Sequence, residues 1–421
     1  MSRCHSFRCD RGTPITASTN SPTIYLQPLV RLTRTQANHL QEATGRIWKP
    51  DIMCHYRVDM LRTLKSQVLR ATRATGLNRK LSATEWRRDK LLILCYHGIS
   101  QDDEHEWNPG LFMRPQVFER RLETLKQGCY DVLSLSEGLE RLAKSTLPAR
   151  SVVLTFDDGM VNFRSHALPI LRKYGYPATV YLRTDYCDYP RPVFPPVCPY
   201  MLWKKRDSIV PANPGLGWLK AQDLRTQEGR LSALFDIQRA NQERKRSARD
   251  HDATVAELAR HLGIDYSSFV DSRVMQIMGP EDVREIAREG IDVQLHTHSH
   301  QLIPTLIREG GLEAEIEENR RRIFQLTGCN PVHFCYPSGI YSLESIPALR
   351  QLGIVTATTC DPDLVSKSSN PMLLPRYVDT DGRPEPEFEA WLSGIGGLLV
   401  RLGVSRNHYG SVASMPAEPY V

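Results

Sequence analysis

The 421-residue chain is 41% hydrophobic and 24% charged, which is the composition of a globular protein, and it has no apolar run long enough to cross a bilayer. The net charge of +6 is unevenly distributed, because residues 1–90 contain 17 Lys and Arg but only 6 Asp and Glu. Residues 91–421 are therefore net acidic. Residues 91–421 carry no excess of basic residues, and residues 1–90 lack the pattern of a known nucleic-acid-binding module. We therefore expect no nucleic-acid partner.

The cysteines indicate a reducing compartment. The ten cysteines lack C-x-x-C spacing, and several lie in apolar runs, as Cys95 does in "LLILCYH". This is typical of buried free thiols rather than of a disulfide framework. The first residues show no secretory signal pattern. We therefore expect a cytoplasmic or membrane-peripheral protein, whose oligomeric state the sequence leaves open.

The N-terminal part of the chain is predicted to lie outside the main domain. Residues 1–55 are rich in Ser, Thr, Arg and Pro, with little periodicity, and are predicted to be disordered or a non-native extension. Two alternatives are a transit peptide and a translation start at Met53 or Met60. Residues 56–90 are predicted to form a basic amphipathic helical arm.

The helical arm has one apolar face and a basic flank. Its apolar residues are Val58, Leu61, Leu64 and Val68. Such a helix could lie on an anionic membrane surface, but a helix docked on the domain is the favoured interpretation.

Strands and helices then alternate along the chain. "KLLILCYHG", "SVVLTF" and "PATVYLRT" are predicted strands separated by helical patterns, and the same rhythm returns after residue 280 with "IDVQLHTH", "VHFCYPSG" and "GIVTATTC". Repeated βα units predict an α/β fold, either a parallel sheet or a barrel. Residues 188–278 break the rhythm and are predicted to be an inserted helical subdomain. Residues 396–421 are predicted to be a C-terminal tail.

Two pairs of polar residues follow predicted strands. Asp157 and Asp158 come after "SVVLTF", and His296 and His300 follow "IDVQL". Imidazole and carboxylate ligands suit a first-row divalent metal, with zinc as the first candidate. His298, between the two histidines, is a further candidate by strand parity. Each pair alone is more often a solvated loop, but both lie where active sites form in α/β folds.

The motifs resemble those of the polysaccharide deacetylases, the NodB-homology family of carbohydrate esterase family 4. "TFDDG" and "HTHSH" are similar to the first two family motifs, and "HFCYPSGIY" resembles the Phe-x-x-Pro-x-Gly segment. "YHGIS" looks like the first-strand signature, and "TTCDPDLVSKSSNPMLLPRYVD" like a late strand pair of one bacterial branch. The resemblance covers residues 91–395 apart from the insertion. It implies a distorted (β/α) barrel of fewer than eight units.

The resemblance also implies roles for particular residues. Asp157 matches the catalytic base, and the main-chain N–H of Tyr336 matches an oxyanion donor. The metal ligands of the family match Asp158, His296 and His300. His97, at the end of the first strand, could approach the pocket, although a simple hydrogen-bonded histidine is an equally good interpretation.

The chain departs from the family pattern at two functional positions. Cys335 stands where many members have an Arg that orients the base. The late Leu-x-His, which supplies a general acid in many members, is not evident, and His408 is a weak substitute. Leaving-group protonation is therefore unassigned from the sequence.

The sequence thus predicts a metal-dependent hydrolase that removes N-acetyl groups from a polysaccharide or oligosaccharide, such as a bacterial exopolysaccharide. Two alternatives stay open. One is an O-acetyl esterase acting on a similar glycan, because the same site chemistry cleaves esters. The other is a catalytically silent carbohydrate-binding protein, which the two departures favour and the intact acid and histidine pairs oppose.

Overall fold

The computed structural model of the protein describes residues 67–401, with the exception of 68, 213–219 and 243–247. The extension predicted for residues 1–55 lies outside the described residues, as do His408 and nearly all of the predicted tail. The four apolar residues of the predicted membrane-binding face also lie outside them. Among the described helices, none combines the length and the apolar character that crossing a membrane requires.

The strands are short and mostly buried. In chain order they are β1 (Leu92–Tyr96), β2 (Gly98–Ile99), β3 (Phe112–Met113), β4 (Asp131–Leu133), β5 (Ser151–Phe156), β6 (Thr179–Leu182), β7 (Ile209–Val210), β8 (Gln222–Asp223), β9 (Asp292–Leu295), β10 (His333–Cys335), β11 (Thr356–Thr358) and β12 (Tyr377–Val378). β1 and β5 are buried along their whole length. Such continuous apolar strands are typical of parallel sheets that are covered on both faces.

Seven of these strands lie side by side in the order β11-β10-β9-β6-β5-β1-β12, all parallel, and β4 adds to the start of β5. The two edges of this sheet are joined by the segment that leads into β12. In this segment the Leu374 N–H donates to Ala357 O at 2.8 Å, and the Arg376 N–H donates to Asp361 O at 3.0 Å. The sheet is therefore curled into a distorted barrel of fewer than eight strands, as the sequence predicts.

The helices connect and surround the strands. They are α1 (Leu77–Ser82), α2 (Glu85–Arg88), α3 (Glu104–Trp107), α4 (Pro115–Gln127), α5 (Leu135–Ala143), α6 (Leu168–Tyr174), α7 (Phe194–Lys204), α8 (Gln227–Gln242), α9 (Ala248–Leu262), α10 (Tyr266–Asp271), α11 (Pro280–Arg288), α12 (Ile303–Glu309), α13 (Leu312–Thr327), α14 (Ser345–Gln351), α15 (Glu385–Ser393) and α16 (Ile395–Arg401). A π-helical turn, Phe163–Ala167, precedes α6.

The helix ends follow from the local sequence. The Ser134 hydroxyl accepts the Glu137 N–H at the start of α5. α11 begins with Pro280 at its first position, and the Asp282 carboxylate accepts the Gly279 N–H. α6 ends at Gly175, whose φ of 68° is costly for residues with a Cβ.

One face of the sheet lines the inside of the barrel. One buried cluster takes a residue from each of β1, β5, β6 and β10 and from the segment that leads into β12. These residues are Ile93, Val153, Tyr181, Cys335 and Leu374. Because side chains alternate along a strand, residues two positions further along lie on the same inner face.

The inner face becomes polar toward the carboxyl ends of the strands. It carries Cys95, Thr155 and Arg376 there, followed by Asp157 and His296. These side chains are buried, so each polar group needs a partner inside the barrel. The candidate site is formed by those partners.

Residues 188–278 contain α7–α10 and the two-stranded ribbon β7–β8. Of these helices, α7 packs against both α8 and α9. Near the start of the described residues, 69–74 are helical, and the buried Leu69 packs with Ala390 and Ile395.

Candidate active site

Asp157 is buried at the end of β5 and forms a two-pronged ion pair with Arg376. The Arg376 guanidinium donates to both carboxylate oxygens of Asp157, at 2.7 Å each. It also donates to Thr155 Oγ1 and to the Thr359 carbonyl, at 3.1 and 2.9 Å. Burial alone would raise the pKa of Asp157, but the Arg376 cation outweighs burial and holds that pKa well below its usual range. Asp157 is therefore ionised and fixed in orientation.

Asp158, the next residue, faces two histidines. Its Oδ1 lies 3.3 Å from His296 Nε2 and 3.2 Å from His300 Nε2. The structure thus brings together the ends of β5 and β9, which are more than a hundred residues apart. Burial would raise the pKa of Asp158, but hydrogen bonds from His296 and His300 lower it well below its ordinary value. Burial lowers the pKa of His300.

The three side chains fit a divalent metal. One ligand atom from each of Asp158, His296 and His300 lies within 4.8 Å of the others. Tetrahedral zinc with bonds of about 2.0–2.1 Å separates its nitrogen and oxygen ligands by about 3.4 Å. The nitrogen–oxygen distances of 3.3 and 3.2 Å are close to that separation. Three protein ligands leave one position for water or substrate, which is the arrangement of a catalytic site.

His296 is held in place by two hydrogen bonds. Its Nδ1 lies 2.9 Å from the Cys335 carbonyl oxygen, so Nδ1 carries a proton, and Nε2, which faces Asp158, is the nitrogen that would coordinate a metal. Its backbone N–H donates to Asn319 Oδ1 at 2.9 Å. The Asn319 amide in turn donates to Leu182 O and Thr184 Oγ1, at 2.9 and 3.0 Å. Asn319, fully buried on α13, thereby ties the end of β9 to the end of β6.

The backbone at the site occupies an unusual conformation. Asp158, Thr297 and His300 have φ values of 70°, 59° and 60°. Left-handed conformations of residues with a Cβ are costly and cluster at functional sites. Here they occur at two of the three candidate ligands, where the chain turns out of β5 and β9.

The other predicted site residues are placed as follows. His97 Nε2 lies 3.9 Å from Asp157 Oδ2, at the edge of the site. The Tyr336 N–H donates to the Thr358 carbonyl at 3.2 Å, so its predicted oxyanion role requires that hydrogen bond to be given up. His298 lies outside the ligand group, with its Nδ1 2.9 Å from Thr184 Oγ1.

Two thiols contact the carboxylate of Asp157, and a third contacts Arg376. The sulfurs of Cys95 and Cys335 lie 3.5 and 3.4 Å from Asp157 Oδ2. Arg376 reaches the sulfurs of Cys335 and Cys360, at 3.1 and 3.7 Å. Burial raises the pKa of Cys95 well above its ordinary value.

Sequence reasoning missed Arg376 and Asn319. Cys335 replaces the expected arginine, but Arg376 supplies a guanidinium from the segment that leads into β12. The available signal was an Arg at an alternating position of the strand-like run "MLLPRYV", since a buried Arg needs an acidic partner. Asn319 gives no such signal, because it lies among charged residues in "EENRRR".

The fold and the site together define a barrel protein with one candidate catalytic metal centre. Residues 144–201 and 226–357 match the family model "Polysaccharide deacetylase". Over these residues the chain is similar to the polysaccharide deacetylase family, as the motifs indicated.

Curated relatives match over shorter segments. The Bacillus subtilis (strain 168) protein YxkH, named as a polysaccharide deacetylase, is 33% identical over 94 residues, covering 22% of this chain and 32% of its own length. The poly-beta-1,6-N-acetyl-D-glucosamine N-deacetylase of Staphylococcus epidermidis (strain ATCC 35984 / DSM 28319 / BCRC 17069 / CCUG 31568 / BM 3577 / RP62A) is 29% identical over 119 residues, which are 26% of this chain and 40% of that protein. The match thus spans less than half the length of these relatives.

Solved structures are similar over most of the chain. The deacetylase PplD of Streptococcus pyogenes in complex with acetate has 19% identity and a TM-score of 0.46, covering 72% of this chain and 98% of its own. IcaB from Ammonifex degensii has 18% identity and a TM-score of 0.45, covering 72% of this chain and 97% of its own.

Proposed function

We propose that this protein is a metal-dependent hydrolase that removes N-acetyl groups from a polysaccharide. The observation that carries the proposal is the position of an ionised, arginine-held carboxylate, Asp157, directly beside the ligand group of Asp158, His296 and His300. Similarity to the deacetylase family supports the reaction. The name of the Staphylococcus epidermidis relative supports an N-acetylglucosamine polymer as the substrate class.

The residues of the site have separate roles in the proposed reaction. Asp158, His296 and His300 would hold a divalent cation, with zinc as the first candidate, which would acidify a water molecule and polarise the acyl carbonyl. Asp157 lies directly beside this ligand group and accepts the proton of the attacking water. Its pKa is held low by Arg376, so it is ionised at neutral pH and always able to accept. Arg376 also keeps its oxygens in one orientation.

Two further groups complete the proposed mechanism. The N–H of Tyr336, once released from Thr358, would donate to the oxyanion that forms at the acyl carbon. Such a donor contributes about 2.7–4 kcal/mol to transition-state stabilisation. The imidazole of His97, next to Asp157, is suited to protonate the leaving amine.

A silent carbohydrate-binding protein is the less favoured alternative. One of the two departures that favoured it was the missing arginine, and Arg376 supplies that charge from the segment that leads into β12. An O-acetyl esterase uses the same residues, so only the substrate distinguishes it from an N-deacetylase.

Acetate release tests the proposal. The full chain is incubated with β-1,6-linked N-acetylglucosamine oligomers and, separately, with O-acetylated glycans. We expect release from the N-acetylated oligomers, and loss of release in Asp157→Asn. The control is Asp363→Asn, which removes a partly exposed carboxylate paired with Arg401. Release from the O-acetylated glycans alone would identify an esterase, and release from neither would contradict hydrolysis of these substrates.

A further inference from the structure

A second group of metal-binding side chains lies on the other side of Asp157. Cys95, His97 and Asp157 offer a sulfur, a nitrogen and an oxygen that all lie within 4.8 Å of one another. Cys95 and His97 belong to the end of β1, and Asp157 belongs to the end of the neighbouring β5. The ladder pairs Cys95 with Thr155 and Tyr96 with Phe156, so the two strand ends are in register.

We propose that Cys95, His97 and Asp157 form a second zinc site, weaker than the first, whose occupation inhibits the enzyme. The inhibitory part of this proposal rests on the proposed function, since it requires Asp157 to be the base. The binding part rests only on the geometry of the three side chains.

The distances suit zinc. Tetrahedral zinc, with bonds of about 2.3 Å to sulfur and 2.0–2.2 Å to nitrogen and oxygen, separates sulfur from oxygen by about 3.6 Å and nitrogen from oxygen by about 3.4 Å. Cys95 Sγ lies 3.5 Å from Asp157 Oδ2, and His97 Nε2 lies 3.9 Å from the same oxygen. A shift of a few tenths of an ångström in the partly exposed His97 would bring its Nε2 to the distance from Oδ2 that zinc requires.

Asp157 has a lone pair available for such an ion. Arg376 donates one N–H to each oxygen of the carboxylate, and a carboxylate oxygen has two lone pairs. The Cys335 thiol also contacts Oδ2, at 3.4 Å, but it has the Tyr336 carbonyl oxygen as another acceptor at 3.6 Å, so the second lone pair of Oδ2 can be given to an ion held by Cys95 and His97. Since zinc binds a thiolate, each ion that binds displaces one proton from Cys95 to solvent.

Electrostatics makes this site the weaker one. The Arg376 cation contacts the shared carboxylate, and a cation in the first site adds a second positive charge nearby. The Cys95 thiolate offsets only one of these charges. Zinc therefore fills the group of Asp158, His296 and His300 first and reaches Cys95 only in excess. Once bound there, it occupies the oxygen that must accept the proton of water, and hydrolysis stops.

A metal titration of the metal-free full chain tests the binding. Cobalt(II) replaces zinc as the probe, because a thiolate ligand gives cobalt a near-ultraviolet charge-transfer band that nitrogen and oxygen ligands do not. We expect no such band with the first equivalent and its appearance with the second. In Cys95→Ser the band is lost, whereas in Cys198→Ser, which changes a buried thiol in the segment 188–278, it is retained. A band that survives in Cys95→Ser, or no second equivalent in the unchanged protein, overturns the proposal.

A second variant tests the site even if Cys95→Ser does not fold. His97→Ala changes a partly exposed side chain, and we expect it to weaken binding of the second equivalent by at least about 100-fold, because loss of an outer partner of a ligand already costs about 10–100-fold, while leaving the first equivalent unchanged. Equal affinity for the second equivalent in His97→Ala overturns the proposal.

If no substrate is hydrolysed, the proposed function fails, but the titration still decides the second site. If hydrolysis is observed, excess zinc should inhibit the unchanged protein more strongly than Cys95→Ser, each compared with its own rate at one equivalent.

Discussion

Asp157 and Asp158 are neighbours in the chain, but their surroundings differ in charge and in access to water. Asp157 lies inside the barrel, where Arg376 holds both of its oxygens and thiols fill the remaining space. Asp158 turns out of the strand with a positive φ and faces the imidazoles of His296 and His300. A fixed guanidinium thus accompanies one carboxylate, and a pair of imidazoles accompanies the other.

This difference explains how two adjacent acids can share one site. Each carboxylate has its own source of positive charge, the guanidinium for Asp157 and the histidine pair or a bound cation for Asp158. The two positions are therefore not interchangeable. Substitutions on the Asp157 side should change turnover with little change in metal binding, whereas substitutions on the Asp158 side should change metal binding first.

The largest effect is expected for Asp157→Asn. An amide cannot accept the proton of water, so acetate release should fall by about 10²–10⁴-fold, with metal content unchanged. Because this change leaves Arg376 buried without an anion, the double variant Asp157→Asn/Arg376→Met serves as a fold control. Loss of the first metal equivalent from a folded Asp157→Asn protein would show that Asp157 is a ligand of the first site rather than its base.

Asp158→Ala should act on the metal. Removal of a direct ligand should weaken metal binding by at least about 100-fold, because loss of an outer partner already costs about 10–100-fold. Metal analysis after dialysis measures this effect, and acetate release should fall in proportion to metal content. His298→Ala is the matched control, since that imidazole bonds to Thr184 outside the ligand group. Equal metal content in Asp158→Ala and His298→Ala would contradict the assignment.

Arg376→Met should change the pH dependence of catalysis. Arg376 lowers the pKa of Asp157, so its removal raises that pKa, and the base becomes protonated at higher pH. We expect the acid limb of the kcat/KM profile to move to higher pH, with metal content unchanged. Arg376→Lys should restore the position of the limb only in part, because a lysine cannot hold both carboxylate oxygens. An unmoved limb in Arg376→Met would indicate that Asp157 is not the group that titrates.

The smallest effect is expected for Asn319→Leu. It removes the acceptor of the His296 N–H and the donor to Leu182 and Thr184. Metal affinity should fall by about 10-fold, which is at the low end for an outer partner of a ligand. A metal titration measures this, with Gln325→Leu, an exposed change on the same helix, as control. Unchanged affinity in a folded Asn319→Leu protein would remove Asn319 from the support of the site.

The convergence of the strand ends could be predicted from the sequence for a physical reason, whereas the barrel was implied by the family resemblance. Parallel strands such as β5 and β9 bring their carboxyl ends to one edge, so the acid pair and His296 could be expected together. Closure of the sheet could not be derived from the βα repeats, because it depends on hydrogen bonds that Leu374 and Arg376 make with residues of the opposite edge, and local sequence does not show which edge they meet.

The electrostatic partners were harder to predict than the candidate ligands. Arg376 reaches Asp157 across the inside of the barrel, and its position follows from the curvature of the sheet rather than from local sequence. The Tyr336 N–H could be located on its strand, but its bond to Thr358 depends on how β10 pairs with β11. Pairing and curvature are properties of the folded chain, so these contacts required the structure.

The most direct test is to identify the ligands of the first metal equivalent by X-ray absorption of the cobalt-loaded full chain. We predict a shell of nitrogen and oxygen with two imidazoles and no sulfur, and one imidazole fewer in His300→Ala. A sulfur atom in that first shell, or the same two imidazoles after His300→Ala, would contradict a metal centre built from Asp158, His296 and His300.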